Sequence, residues 1–196
     1  MCSRLEAEST YVPPNTNLLW EYSSGNEQKA LAPNLTHVEL KQHTILFEVS
    51  DTITDVYFPT DAVVSLVIPL STGETVETAM VGRDGIVGAG AALNGRVSLN
   101  RAVVQIGGHA LRCPVEPLKS VLKSHPDFQS LIFAHEQALF AQAQQSAACN
   151  ATHVIESRLS RWLAGMSMLP EESRWRQSPP RNFARATPCW KSSASW

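Results

Sequence analysis

The stretch Met80 to Gly95, MVGRDGIVGAGAALNG, places five glycines in sixteen positions and sets the charged pair Arg83-Asp84 between the first two. Glycine lets the backbone approach a ligand closely, and successive exposed N–H groups form a nest for an anion. A cradle built on Gly82, Arg83, Gly85 and Gly88 would suit a phosphate or a carboxylate. The same glycines also suit a tight corner packed within a β-structure, where no ligand is needed.

Other residues invite metal chemistry. Cys149 and His153 are four apart, which on a helix puts both on one face at the spacing of a two-ligand metal or haem clip; a small buried thiol beside a hydrogen-bonded histidine is the commoner outcome of that spacing. His37 and His43 are six apart and would share one side of a continuous strand, but Lys41-Gln42 reads as a turn between them, and His109 is distant in the chain. No Ser/His/Asp order and no paired carboxylates accompany a recognisable catalytic motif. Neither a metal site nor an enzyme is expected, and a cupin-like metal-dependent enzyme stands as the alternative that the histidines keep open.

Composition bounds these options. The 196 residues, 43% hydrophobic and 17% charged with a formal net charge of -2, are enough for one main domain with its own core, and they match neither a disordered chain nor a strongly basic nucleic-acid binder. The longest apolar run, Ala62 to Leu70, is broken by Ser65 and Pro69 and is far short of the roughly 20 residues that a bilayer span requires. The opening MCSRLEAES is not a signal peptide. Cys2, Cys113, Cys149 and Cys189 lack the paired spacing of a zinc site or a secreted disulfide framework, so a reduced cytoplasm is the expected setting and no membrane partner is expected.

The elements that must position the glycines follow from periodicity. Thr16 to Tyr22 and Gln28 to Leu35 read as short helical pieces. From Val38 the period becomes two, through VEL, TILFEV, DVYFP, AVVSLVIPL, ETVETAMV and RAVVQIGGHALRCP, with Ser71-Thr72-Gly73 and Gly107-Gly108 as turns. Many short strands at regular spacing predict a sandwich or roll. Pro117 opens a short helix with Leu118, Val121 and Leu122 on one face, and Ser124-His125-Pro126 ends it and starts another. From Asp127 to about Ala164 no proline or glycine intervenes, which predicts one helix of about 38 residues, roughly 57 Å long. A helix of that length cannot bury itself wholly against a roll of about 100 residues, and a second copy of the chain is its expected partner. Phe133 and Phe140, seven apart, with Ala141, Ala147, Ala148 and Ala151, form the candidate dimer face. Ile155, Leu159, Trp162 and Leu163 mark a further apolar stripe.

A β-roll, a short helix and a long helix, in that order, resemble the sensor half of the Crp/Fnr family of bacterial transcription regulators. The sequences DVYFPTDAVVSLV, VGRDGIVG and QSAACNATHVIESRLSRWL are similar to a subgroup of that family, in which a cyclic-nucleotide-binding-like domain precedes a winged helix-turn-helix; the resemblance covers about 31–163. It implies an α+β fold: a double-stranded β-helix, or jelly roll, of the cyclic-nucleotide-binding type, followed by a long dimerisation helix. The division it implies is an N-terminal helical segment 1–36, the roll 37–116, the helices 117–164 and an irregular tail 165–196.

In that family the glycine-rich segment is the phosphate-binding cassette, where backbone N–H groups and an arginine hold the cyclic phosphate and a glutamate accepts from the ribose hydroxyl. This chain departs from the pattern. Alignment puts Ala89 where the glutamate belongs, and Asn100 near the arginine position, with Arg101 one residue off and so on the opposite strand face. The effector-pocket candidates are therefore Gly82, Arg83, Gly85, Gly88, Ala89 and Arg101. Losing both anchors removes charge-assisted hydrogen bonds of about 1.5–3 kcal/mol each. Cyclic nucleotide is a disfavoured ligand, no cofactor is expected, and the effector is a small molecule of unknown identity. A stand-alone binding protein for a cyclic nucleotide or another small ligand remains the other alternative. The family's iron–sulfur sensors need several closely spaced cysteines near the start, where Cys2 stands alone.

After Leu163 the resemblance stops. Residues 165–196 hold Pro170, Pro179, Pro180, Pro188 and three tryptophans without apolar periodicity, where the family begins its helix-turn-helix. Read from the third base of each codon, Cys189-Trp190-Lys191 must encode Leu-Glu, and Pro180-Arg181-Asn182-Phe183 can give Gln-Glu-Phe, fragments of the family pattern at a spacing two residues too long. The expectation is a shifted reading frame, in which Arg174, Arg176, Arg181, Arg185 and Lys191 are by-products, and DNA is a partner only where an intact helix-turn-helix is restored.

Overall fold

The computed structural model describes residues 16–160 apart from 96 and 155. The chain opens with two short helices, α1 (Leu18–Tyr22) and α2 (Gly25–Leu31), followed by a 3-10 turn at Ala32–Asn34 where helix was expected to continue to Leu35. Asn17 caps α1 with its side-chain oxygen on the Trp20 N–H, and Glu27 caps α2 by accepting from the Ser24 N–H.

Seven strands follow: β1 (Thr36–Leu40), β2 (Ile45–Phe47), β3 (Asp55–Pro59), β4 (Val63–Pro69), β5 (Thr75–Val81), β6 (Arg101–Ile106) and β7 (Gly108–Pro114). They form a three-stranded sheet, β1-β7-β3, and a four-stranded sheet, β2-β6-β4-β5, with antiparallel pairing throughout. This is the jelly roll expected from the period-two runs. Alternation along β3 and β7 splits the interior in two. Val56, Phe58, Leu111 and Cys113 face a cluster shared with the helices, including Leu19, Leu31, Leu118, Leu122, Phe128 and Ile132. Ala110 faces the other way, into the space between the sheets, with Leu40, Phe47, Val64, Leu66, Val81 and Val104. Burial raises the Cys113 thiol pKa, with help from the Asp55 carboxylate, to about 11, which makes it an inert core group rather than a nucleophile.

Helix α3 (Val115–Ser124) begins two residues before Pro117 and buries Val115, Leu118, Val121 and Leu122. Helix α4 (Pro126–Thr152) starts with proline in its first turn, as expected, but it does not run to Ala164. His153 is extended at φ -102 and ψ 146, and helical geometry resumes only over 156–160. The sequence Asn150-Ala151-Thr152-His153-Val154 is poor in helix formers, and the Thr152 hydroxyl donates back to the Ala148 carbonyl at 2.7 Å. Cys149 is the last buried residue of α4, so no tertiary packing overrides the weak propensity beyond it. The break also removes the shared helical face expected of Cys149 and His153: the thiol is buried and accepts from Gln145 Nε2, while His153 ends the helix as an exposed residue. Leu159 is exposed; Ile155, Trp162, Leu163 and the tail 165–196 lie outside the described residues.

One side chain ties the N-terminal segment to the roll. Asn17 is fully buried, and its Nδ2 donates to the carbonyls of Pro59 at 2.9 Å and Gly85 at 2.7 Å. Asn17→Ala removes the helix cap and leaves two buried carbonyls unpaired, an expected loss of about 2–4 kcal/mol. Urea unfolding should show a lower midpoint at unchanged slope.

Candidate functional site

The glycine-rich segment runs from the end of β5 to the start of β6. Gly85 N–H closes a turn on the Gly82 carbonyl at 3.1 Å, and Val87 then pairs with Tyr57 of β3 through both of its backbone groups. Gly88 is left-handed, φ 84 and ψ 12, and leads into a 3-10 turn at Ala89–Ala91. A Cβ on Gly88 would meet Ile53 at 3.2 Å and the Asp55 carbonyl at 3.4 Å, so both conformation and packing call for glycine here. The N–H groups of Ala91, Ala92, Leu93 and Gly95 are spent on carbonyls within the segment, and Ala89 is fully buried with nothing but a methyl group to offer.

Gly82, Arg83, Gly85, Gly88 and Ala89 thus share one continuous segment. Arg83 is half-buried, with its Nε lacking a hydrogen-bond partner. Arg101 is placed elsewhere. On β6, Ala102 and Val104 face the core, while Arg101 and Val103 look out from the four-stranded sheet, and Arg101 Nε pairs with Glu48 Oε2 at 2.7 Å. There Arg101 borders a cavity of about 320 Å³ with His43, Ser65, Glu77 and Gln105, on the face of the sheet away from the glycines. Asn100, at the arginine position of the resembled family, is held by its backbone to the Ser98 hydroxyl.

A second cavity, about 300 Å³, lies beside Gly88 and is lined by Phe47, Asp51, Ile53, Asp55 and Tyr57 among others. Its ionisable lining is two carboxylates and a phenol, without a cation. Burial, then the nearby Asp55 carboxylate, pushes the Tyr57 hydroxyl above its ordinary range against the opposing Arg112, so it stays a neutral donor. Asp55 has the Arg112 guanidinium 3.8 Å away as a counter-charge, while Asp51 lines the cavity as a second carboxylate, a lining that disfavours an anion.

The histidines do not meet. His43 and His109 are exposed, and His109 pairs with Asp61 at 3.1 Å. Among the described residues no three His, Cys, Asp or Glu side chains gather in a geometry able to hold a metal ion.

Sequence reasoning missed the residues that α4 brings to the segment. His135, Leu139, Gln142, Ser146 and Cys149 recur at spacings of four, three, four and three, and this face packs on the roll. His135 Nε2 accepts from the Ile86 N–H at 3.2 Å, Leu139 packs on the core between the sheets, Gln142 Oε1 accepts from the Met80 N–H at 2.7 Å, and the Ser146 hydroxyl donates to the Thr78 carbonyl at 3.0 Å. The heptad spacing was present in the sequence, but three of its five members are polar, so an apolar-stripe search passes over it. On the opposite side Phe133 and Phe140 are 51% and 59% exposed, and Ala141, Ala147, Ala148 and Ala151 are exposed with them.

A jelly roll with the glycine segment between its fifth and sixth strands, closed by a short and then a long helix, defines the cyclic-nucleotide-binding-domain fold. In particular, the chain superposes on the c-di-GMP-responsive global regulator CLP of Xanthomonas campestris with a TM-score of 0.62 over 79% of this chain and 78% of that one, at 14% identity. A cyclic-nucleotide-binding domain from Methylobacillus flagellatus KT matches with a TM-score of 0.50 over 63% and 70% of the two chains, at 15% identity. No protein-family model matches the sequence, and no curated protein matches it in sequence.

Two glycines separate packing from ligand access. A Cβ on Gly85 would lie 2.6 Å from His135 Nε2 and 2.9 Å from Val81 Cγ1, whereas one on Gly90 would meet only Glu136 Oε2 at 3.4 Å. Gly85→Ala is expected to cost about 1–3 kcal/mol by overpacking, and Gly90→Ala no more than about 0.5 kcal/mol. Paired thermal melts of the two variants check the difference.

Proposed function

We propose that this chain is the effector-sensing and dimerisation module of a Crp/Fnr-type transcription regulator, a cytoplasmic and regulatory rather than catalytic protein. The observation that carries the reading is the two-sidedness of α4, which docks one face on the roll and the glycine segment and leaves Phe133 and Phe140 uncovered on the other. A second copy with the same stripe would bury these rings in a parallel seam, since the seven-residue spacing repeats along the helix.

The effector is proposed to be a small molecule other than cyclic AMP. In support, Ala89 supplies no acceptor for a ribose hydroxyl, Arg101 is engaged by Glu48 on the other sheet face, and the cavity beside Gly88 is walled by carboxylates. CLP, which shares the fold, is described as c-di-GMP responsive, so the fold accommodates an effector other than the mononucleotide. Sequence-specific DNA binding is not proposed for the described residues. That activity needs a recognition helix in the major groove, and the segment expected to carry it in the resembled family lies after 163, outside them.

Light scattering on the whole chain should report twice the chain mass, and Phe140→Glu should weaken the dimer at least about ten-fold by forcing a charge into the seam. A strict monomer for the unaltered chain at tens of micromolar overturns the dimer reading. Titration calorimetry with cyclic AMP and cyclic GMP should show no dissociation constant of about 10 μM or tighter, and one in that range overturns the effector reading.

A further inference from the structure

Helix α4 reaches the turn at Gly85-Ile86 through one imidazole. His135 is 7% exposed, and its Nε2 accepts the Ile86 N–H at 3.2 Å. A nitrogen that accepts carries no hydrogen, so the proton of the neutral ring sits on Nδ1. Nδ1 is buried without a hydrogen-bond partner, and the nearest carboxylate oxygen, Glu136 Oε1, is 3.7 Å away, beyond hydrogen-bond reach.

We propose that His135 is a protonation-controlled latch between the glycine-rich segment and α4. The imidazolium carries N–H on both nitrogens and cannot accept. Once it forms, the Nε2–H and the Ile86 N–H point at each other across a contact that leaves no room even for a methyl group on Gly85. Lowering the pH therefore releases the Ile86 N–H and drives the turn and the helix apart at this point.

The charged groups around the ring set the sense of the switch. On α4, Glu136 favours the imidazolium, and its other oxygen, Oε2, already lies against Gly90 of the segment. On the segment itself, half-buried Arg83 and exposed Asp84 are the charged residues next to the turn, and β5 presents the apolar Val81. The hydrogen bonds from Gln142 to Met80 and from Ser146 to Thr78, which also tie α4 to the roll, involve no titratable group. The turn is held from its other side by the Asn17 amide on the Gly85 carbonyl and the Leu18 N–H on the Arg83 carbonyl at 2.7 Å, and α4 is anchored beside the ring by Phe128 and Ile132 in the core, so the strain falls on the contact between His135 and Ile86. That this displacement serves regulation rests on the sensor reading above; the latch itself does not.

The test is hydrogen exchange with residue resolution on the full chain at about pH 7.5 and about pH 5.5, each corrected for intrinsic rates. Ile86 protection should fall about ten-fold or more at the lower pH while that of Met80 holds. In His135→Gln, whose side-chain oxygen accepts at either pH, Ile86 protection should not change with pH. Equal Ile86 protection at both values in the unaltered chain, or an unchanged pH dependence in the variant, overturns the latch. Should His135→Gln not fold, the unaltered chain decides: nitrogen resonances of the His135 ring must titrate together with the Ile86 amide, and a ring that titrates without it refutes the proposal. A monomer by light scattering would remove the dimer reading and leave the latch intact, whereas pH-independent Ile86 protection removes the latch alone.

Discussion

Strand β5 is an edge strand of the four-stranded sheet, and the backbone groups exposed on such an edge must be satisfied or shielded. Helix α4 does both. Gln142 and Ser146 supply an acceptor and a donor to the Met80 N–H and the Thr78 carbonyl, and Leu139, one turn before Gln142, packs on the core of the roll. The placement of the glycine segment follows from this docking, because β5 runs straight into it and His135, two turns before Gln142, meets it at Ile86. The exposed apolar face follows as well: with one side of α4 fixed on the edge strand, Phe133 and Phe140 face outward.

The same docking explains why a glycine-rich segment need not be an anion cradle. Gly85 is small because the His135 ring occupies the place of a side chain, and Gly88 is left-handed because the chain must turn from its pairing with Tyr57 into a 3-10 turn against Ile53. The N–H groups of Gly85, Ala91, Ala92, Leu93 and Gly95 close on the segment's own carbonyls, and that of Val87 goes to Tyr57. Two positions that would carry polar anchors in the resembled family hold a buried methyl at Ala89 and an amide at Asn100, and the nearest arginine in sequence, Arg101, serves an ion pair with Glu48 on the far face.

Much of this was legible in the chain itself. The period-two runs from Val38 to Pro114, their turn residues and the apolar face of Leu118, Val121 and Leu122 specify the strands and the short helix, because a half-buried strand and an amphipathic helix each impose a repeat on the residues they bury. The alternation of β6 put Arg101 on the face opposite Ala102, since side chains along a strand alternate, whereas Asn100 lies in the bend before the strand. What the sequence could not supply was the length of α4. The absence of proline and glycine permits a helix to Ala164, but permission is not stabilisation, and helical order past Cys149 lacked a surface to pack on. Nor could it supply the polar face of α4, for His135, Gln142 and Ser146 acquire their roles from backbone groups of β5 and the glycine segment, roughly fifty to seventy residues away in sequence. Local repeats are written in neighbouring residues; the partners of a buried polar group are fixed only when distant strands and helices are brought together.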